Sequence, residues 1–224
     1  MYSVKKEPKR EPLQNMKREY TPQQKQNHIY RLLGAIDSKL KAQFQYDELA
    51  ITSITQFDIA DDISAGIINA VKQQFPNKEN SQITVLDAFA CVGGNTMSFC
   101  RHGLSVSAVE LNTERFKMLE HNLAIFGYNA NLYNENALKI IAKRSGEFNA
   151  VFIDVPWDNC IDGFLYVGEH TLHSIVEMCL APVIVLKLPT DYSTAELMVI
   201  KGVKISAEIY DEPYRMMIIT ITRY

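Results

Sequence analysis

The sequence predicts an α/β protein whose core is a mostly parallel, seven-stranded sheet with an antiparallel edge. From residue 83 onward, short apolar runs of strand length alternate with stretches of helical periodicity, which is typical of parallel strands joined by helices. The alternation ends with two successive apolar runs, 203–210 and 215–223, which indicate a closing antiparallel pair. A glycine loop also follows the first strand, where open sheets of this kind bind ligands.

Two helices are expected ahead of the core, in an N-terminal extension at 26–80. Apolar residues recur at helical spacing over 26–45 and again over 57–75. In the core at 81–224, strands are expected at 83–88, 104–110, 129–133, 149–154, 182–188, 203–210 and 215–223. Core helices are expected at 95–102, 112–127, 136–144, 168–179 and 193–200.

Composition sets looser bounds on function. The chain has 224 residues, of which 47% are hydrophobic, so it can bury one full core. Its formal net charge of -3 argues against a uniformly basic surface for nucleic acid. Residues 1–25 nevertheless hold seven Lys or Arg against three Glu, so this arm carries +4 and the remainder -7. We expect a disordered basic arm, which either adds nonspecific phosphate affinity or acts as a solubilising tail.

The four cysteines show no paired metal-binding spacing, and the sequence contains no signal peptide or transmembrane run. An intracellular location is therefore expected, without distinction between nucleus and cytoplasm. His170 and His173 share a helical face, but no third ligand lies near them in the sequence, so no metal site is expected. We expect a monomer with no membrane attachment.

The glycine loop indicates which kind of cofactor to expect. Gly93 and Gly94 allow a tight turn before a helix that starts near Asn95 or Thr96. A dinucleotide site would need three spaced glycines. Asp87, at the tip of the first strand, would repel a pyrophosphate but would suit a ligand with an ammonium group and a sulfonium, such as S-adenosylmethionine.

A second acid supports this interpretation. Glu110 ends the next strand, where a carboxylate can bind both ribose hydroxyls of a nucleoside. Either acid alone could be an ordinary solvated side chain. One acid at each of two strand ends, flanking a glycine turn, favours a methyl donor.

A second chemical site follows the fourth strand, at Asp154, Pro156 and Trp157. An exocyclic base amine is a poor nucleophile, so a catalyst must hold it in line with the methyl group and accept its hydrogen bonds. Asp154 and the carbonyls beside Pro156 can accept these bonds, and Trp157, the single tryptophan, offers a stacking face for a base. The alternative is a tryptophan at the edge of the core beside a turn-forming Asp.

These residues resemble a known family. The run from Asp87 to Thr96, DAFACVGGNT, is similar to the DAFCGVGGNT signature of trimethylguanosine synthases. The run from Val151 to Trp157, VFIDVPW, is similar to their VFLSPPW loop, and the resemblance covers about residues 25–220. It implies a Rossmann-like class I methyltransferase that methylates the exocyclic amine of a 7-methylguanosine RNA cap.

The resemblance also implies roles for individual residues. S-adenosylmethionine would be bound by Thr55, Asp87, Phe89, Gly93, Gly94, Asn95, Thr96, Glu110 and Asn136. Trp157 would stack on the methylated, positively charged guanine, and Ser53 would lie near the cap or the donor. Lys187, after the fifth core strand, would contact cap phosphates or else snorkel from a strand end. The implied partner is therefore capped RNA.

The chain departs from the family pattern at Cys91, Asn136 and Val155. Family members usually carry a glycine in place of Cys91, an acidic residue in place of Asn136, and Pro in place of Val155. Two other functions therefore stay open. One is an amino methyltransferase acting on an internal RNA or DNA base, and the other is a cap-binding protein that has lost turnover.

Overall fold

A computed structural model describes residues 21–158, 160–161, 164–211 and 214–224. Its core is a seven-stranded sheet with the strand order β3-β2-β1-β4-β8-β10-β9. Strand β10 runs antiparallel to both of its neighbours, and the remaining pairs are parallel. The predicted sheet with its antiparallel edge is confirmed.

The strands of this sheet are β1 Thr84–Asp87, β2 Ser105–Val109, β3 Asn131–Tyr133, β4 Ala150–Ile153, β8 Val183–Pro189, β9 Val203–Tyr210 and β10 Met216–Arg223. A smaller three-stranded sheet consists of β5 Cys160–Ile161, β6 Phe164–Val167 and β7 His170–Thr171. The helices are α1 Pro22–Leu32, α2 Ser38–Lys41, α3 Glu48–Ser53, α4 Phe57–Gln74, α5 Gly94–Arg101, α6 Thr113–Ile125, α7 Ala137–Arg144 and α8 Leu172–Met178.

The central strands are mostly apolar because helices cover both faces of the sheet. On one face, Leu86, Val151 and Ile184 lie in a cluster with residues of α7 and α8. On the other face, Val85 and Val185 lie in a cluster with residues of α4. The carboxyl ends of β1, β2 and β4 therefore meet at one rim of a rigid sheet.

The N-terminal extension is more broken than the sequence periodicity predicts. The helix expected at 26–45 ends after Leu32, and a second, short helix begins at Ser38. Between them, Gly34 adopts φ +56°, and a Cβ there would lie 2.5 Å from Cγ of Phe57. The chain must turn at this glycine so that it can pass α4.

The sequence did not predict α3. Its amino end is capped by Asp47, whose Oδ1 accepts from the backbone N–H of Ala50 at 2.8 Å. Its buried residues, Ala50 and Ile51, belong to a cluster that also holds Leu119 of α6. This helix therefore packs beside the glycine loop.

Three further elements differ from the prediction. Helix α1 begins at Pro22, with Thr21 as its cap, so it includes the last residues that the charge pattern assigned to the basic arm; residues 1–20 lie outside the described residues. The helix expected from 168 starts only at Leu172, because β6 and β7 precede it. The helix expected at 193–200 is a 3-10 turn at Thr194–Glu196.

No helix in the described ranges has both the length and the apolar character needed to cross a membrane.

Candidate active site

The glycine loop connects β1 to α5 and depends on both of its glycines. Gly93 caps α5 with φ +100°, a backbone conformation that side chains disfavour. A Cβ on Gly93 would lie 2.8 Å from Cδ1 of Leu119, and one on Gly94 would lie 3.2 Å from Cγ2 of Ile54. The loop is therefore pressed between α6 and the segment that follows α3.

Cys91 adopts a backbone conformation that favours glycine. Its φ is +50°, in the left-handed region, where a Cβ costs energy. The side chain is partly buried, and this burial raises the pKa of the thiol to about 12. The thiol is therefore protonated at neutral pH, and this residue contributes shape rather than nucleophilic chemistry.

Asp87 lies beneath the loop, with 1% of its surface exposed. Its Oδ2 accepts from the hydroxyl of Thr96 at 2.6 Å, whereas Oδ1 has no hydrogen-bond partner among the described residues. Burial raises the pKa of Asp87 to about 7, and the charges of Asp154 and Glu110 add to this rise, while the hydrogen bond from Thr96 and the nearby Phe89 N–H oppose it. A nearby cation would be needed to keep Asp87 fully ionised at neutral pH.

Glu110 ties the end of β2 to the same loop. Its Oε2 accepts from the backbone N–H of Cys91 at 3.0 Å, and its Oε1 accepts from that of Asn112 at 2.7 Å. The side chain is half-buried, and burial raises its pKa. Each carboxylate oxygen retains a further lone pair for a ligand, so the expected contact with ribose hydroxyls stays chemically possible.

Asn95 joins the loop to the N-terminal extension. Its Nδ2 donates to the hydroxyl of Thr55 at 2.9 Å, and both residues are buried. Its Oδ1 has no partner in the described part of the chain. Two buried acceptor oxygens thus lie without a hydrogen-bond donor among the described residues of this region, Asn95 Oδ1 and Asp87 Oδ1.

Asn136 and Phe89 lie on the same rim. Asn136 follows β3 and caps α7 through an Oδ1 that accepts from the N–H of Leu138 at 2.8 Å. Phe89 is half-buried and packs against the main core cluster. The expected donor-binding residues from Thr55 to Asn136 therefore come together at the carboxyl ends of β1, β2 and β3.

Residues 154–158 follow β4, next to β1 in the sheet, and we call them the acceptor loop after the role that the sequence predicts for them. Val155 is buried in the core, whereas Pro156 is exposed. Trp157 is half-buried against both main core clusters, and its Nε1 donates to the carbonyl of Lys187 at 3.3 Å. The indole edge is thus fixed to β8.

The structure places Lys187 differently from either expectation. It is neither on the surface nor snorkelling, since only 4% of it is exposed. Its Nζ donates to Oδ2 of Asp154 at 2.8 Å and to the carbonyl of Ser53 at 3.3 Å. The Lys187 ammonium is therefore not placed to contact cap phosphates.

Ser53 contributes its backbone to this arrangement. Its hydroxyl donates to the carbonyl of Leu49 at 2.9 Å, inside α3. The main chain of Ser53 is thus linked to Asp154 through Lys187, and the expected position of Ser53 near the cap or the donor stays a prediction.

Sequence reasoning missed the pairing of Lys187 with Asp154. One signal could have revealed it, since Lys187 interrupts the otherwise apolar strand β8. A lysine inside a central strand needs a buried partner because an unpaired ammonium is costly to desolvate. Asp154 is the partner, and burial raises the pKa of this acid while Lys187 opposes the rise.

Taken together, Asp87, Glu110 and Asp154 place three carboxyl groups on this rim, and Lys187 is buried against the third. In the described ranges, no group of three or more His, Cys, Asp or Glu side chains is arranged to hold a metal ion. The arrangement suits a positively charged organic ligand above the glycine loop, with a second ligand beside Asp154 and Trp157.

Comparison with known proteins identifies the family. A family model described as RNA cap guanine-N2 methyltransferase matches residues 82–223. An uncharacterised protein of Acanthamoeba polyphaga mimivirus is 29% identical in an alignment of 129 residues, which covers 52% of this chain and 50% of that protein. The chain thus spans about half the length of this curated relative.

Solved structures support the fold. Magnesium protoporphyrin IX methyltransferase (ChlM) from Synechocystis PCC 6803, solved with bound SAM, matches with a TM-score of 0.57 and 13% identity, over 88% of this chain and 90% of that one. A SAM-dependent methyltransferase from Agrobacterium tumefaciens matches with a TM-score of 0.52 and 14% identity, over 76% and 63% of the respective chains. The predicted class I methyltransferase fold is confirmed.

Proposed function

This chain belongs to the RNA cap guanine-N2 methyltransferase family, and on that basis we propose that it methylates the exocyclic amine of 7-methylguanosine at an RNA 5′ cap. The methyl donor in this proposal is S-adenosylmethionine, and the partner is capped RNA. The observation that carries the proposal is the placement of Asp154 and Trp157 beside the glycine loop, at neighbouring strands of one rim.

The donor site of this proposal consists of the glycine loop and its supporting acids. Asp87 acts from beneath the loop, where a carboxylate in low dielectric attracts an ammonium or sulfonium strongly. Glu110 accepts from the ribose hydroxyls, and Asn136 contacts the adenine edge. Gly93 and Gly94 keep the space above the loop free of side chains. The unpartnered oxygens of Asp87 and Asn95 fit a cationic ligand.

The acceptor side supplies orientation and a base. S-adenosylmethionine, when bound, supplies an electrophilic methyl group on a sulfonium. The exocyclic amine must present its lone pair in line with that group. The new N–C bond forms as the S–C bond to the methyl group breaks, S-adenosylhomocysteine is the leaving group, and the amine nitrogen loses one proton. Asp154 accepts a hydrogen bond from the amine and takes up that proton, while the carbonyl beside Pro156 accepts the second N–H. Trp157 stacks on the cationic base.

A transfer assay tests the proposal. Purified chain is incubated with methyl-labelled donor and three otherwise identical RNA oligonucleotides, which carry a 7-methylguanosine cap, an unmethylated guanosine cap or a 5′ triphosphate. Label is expected only in the first, on N2 of the cap nucleotide after nuclease digestion.

Other outcomes of this assay decide between the rivals. Label in internal nucleotides of all three RNAs would replace cap specificity with methylation of an internal base. Binding of the 7-methylguanosine cap without transferred label would show a cap-binding protein without turnover. Competition by free 7-methylguanosine nucleotide, with none from unmethylated nucleotide, is expected if the cap itself is recognised.

A further inference from the structure

Lys187 carries a buried ammonium group near the carboxyl end of β8, an inner strand of the sheet. It sits on β8 between Leu186 and Leu188, both of which are fully buried, and 4% of its own surface is exposed. A lysine in this position keeps its charge only when a carboxylate and other acceptors replace water. The groups that the Lys187 ammonium contacts therefore indicate its role.

Those interactions join three separate segments of the chain. The Nζ donates to Asp154 on the acceptor loop and to the carbonyl of Ser53 at the end of α3. It also lies 5.5 Å from the centre of the Trp157 ring, and the Lys187 carbonyl accepts from the indole Nε1. One residue of β8 thus contacts the acid, the stacking ring and the N-terminal extension.

We propose that Lys187 is a positioning residue for methyl transfer, which fixes Asp154 and Trp157 relative to each other and fastens the end of α3 to them. This inference rests on the proposed function of the acceptor loop. Lys187 itself does not contact RNA in this proposal. It acts through Asp154, whose Oδ2 it occupies, so that Oδ1 is left to accept the amine.

The electrostatics agree with this role. The Asp154 side chain retains 16% exposure, so a ligand can reach it, whereas Lys187 lies behind it. The ammonium opposes the effect of burial on the pKa of Asp154 and so favours the ionised acid. An ionised acid accepts hydrogen bonds from the amine, whereas a protonated one would lose part of that capacity.

Four variants test the proposal. Lys187→Met removes the ammonium and keeps the length of the side chain, and Asp154→Asn removes the partner charge. The double variant removes both charges. Lys201→Met removes an exposed lysine next to β9 and is the matched control. Each is measured for thermal unfolding, donor binding, tryptophan emission, and kcat and KM on capped RNA over a series of salt concentrations.

The expected result is a kinetic coupling between the two sites. Lys187→Met should lower kcat by about 100-fold, because a small displacement of the Asp154 carboxylate from the reacting amine can reduce the rate by that factor. KM for RNA and its salt dependence should stay close to wild type, and so should donor affinity. In the Asp154→Asn background, the same substitution should change kcat by no more than about twofold, because its partner is already gone. Lys201→Met should leave kcat unchanged.

A phosphate-binding lysine would give a different pattern. Lys187→Met would then raise KM for capped RNA and reduce the slope of log KM against log salt concentration by about one. Both effects would be the same in the wild-type and Asp154→Asn backgrounds. That result would overturn the proposal. So would additive effects of the two substitutions on kcat.

Two measurements need no turnover. The coupling also appears in thermal unfolding, where Lys187→Met should be less stable than the double variant because it leaves a buried carboxylate unpaired. If Lys187→Met does not fold but the double variant does, the pairing is supported; if neither folds, it is overturned. Trp157 is the single tryptophan, so loss of the Lys187 ammonium should shift its emission.

These readouts separate the two proposals. Coupled stability together with a shifted emission, but no label in any RNA, would leave the Lys187–Asp154 pair standing and would reject the proposed reaction. Transfer of label to the cap without coupling between Lys187 and Asp154 would support the proposed reaction and reject the positioning role of Lys187.

Discussion

The hydroxyl of Thr96 donates to Oδ2 of Asp87 at 2.6 Å and so closes the glycine loop onto the end of β1. Both side chains are buried, and Thr96 is in the first turn of α5. The bond joins Asp87, at the end of β1, to helix α5, which begins at the glycine loop. The loop is therefore held in shape from beneath before any ligand binds.

Substitution of Thr96 by Val should weaken this link without changing the size of the side chain. Both oxygens of Asp87 would then lack a side-chain donor, and the loss of a buried hydrogen-bond partner typically costs about 1–3 kcal/mol. Chemical denaturation measures the change in the free energy of unfolding. The control is Thr113→Val, which removes an exposed hydroxyl at the start of α6 and should change stability by less than about 0.5 kcal/mol. Equal effects of the two substitutions would contradict the importance of this bond.

The raised pKa of Asp87 predicts how stability depends on pH. The folded chain keeps the Asp87 proton up to about pH 7, whereas the unfolded chain loses it near the ordinary value of 3.8. The folded state binds more protons between these values, so the contribution of Asp87 to stability is present below pH 3.8 and is lost as pH rises to about 7. The total loss is on the order of 4 kcal/mol at most.

Asp87→Asn should remove this part of the pH dependence, because the amide does not titrate. The quantity to compare is the slope of the free energy of unfolding against pH, in wild type and variant, without methyl donor. Asp58→Asn, an exposed acid in the first turn of α4, is the control. A slope that Asp87→Asn leaves unchanged would show that Glu110 and Asp154, whose pKa values burial also raises, carry the dependence instead.

The main sheet could be predicted because burial on both faces makes β4 an uninterrupted apolar run and leaves β1 and β8 mostly apolar. The glycine loop could be predicted because Gly93 needs a left-handed conformation that few other residues adopt. Helix α3 could not, since six residues are too few to show a period and the helix depends on its contacts with neighbouring elements.

The surroundings of the loop after β4 could also be predicted only in part, because contacts between distant segments are not visible in the sequence. The acid and the tryptophan of the loop after β4 are adjacent in sequence, so their association was visible. Lys187 lies 33 residues from Asp154, and only the parallel pairing of β4 with β8 brings the two together. The small sheet formed by β5, β6 and β7 was missed for a similar reason, because two of its strands are two residues long.

Cys91 offers a test of backbone strain in the loop. With φ +50°, any residue that has a Cβ is strained there, so Cys91→Gly should be more stable than Cys91→Ala by about 1 kcal/mol. Both variants lose the sulfur, so the comparison isolates the effect of the Cβ. Thermal unfolding of the two proteins side by side measures it. An alanine variant as stable as the glycine variant would show that the loop relaxes at this position.

Replacement of Trp157 tests whether the capped base stacks on its ring. Removal of a stacking ring typically costs about 1–3 kcal/mol for each base, so Trp157→Ala should raise KM for capped RNA by about 10- to 100-fold. Trp157→Phe keeps an aromatic face but loses the bond from Nε1 to the Lys187 carbonyl, so its KM should lie between those of wild type and Trp157→Ala. The control is Phe75→Ala, at the end of α4, which removes a partly buried ring of the core. Steady-state kinetics with a capped oligonucleotide measure these values, and a KM in Trp157→Ala equal to that of wild type would rule out stacking on this ring.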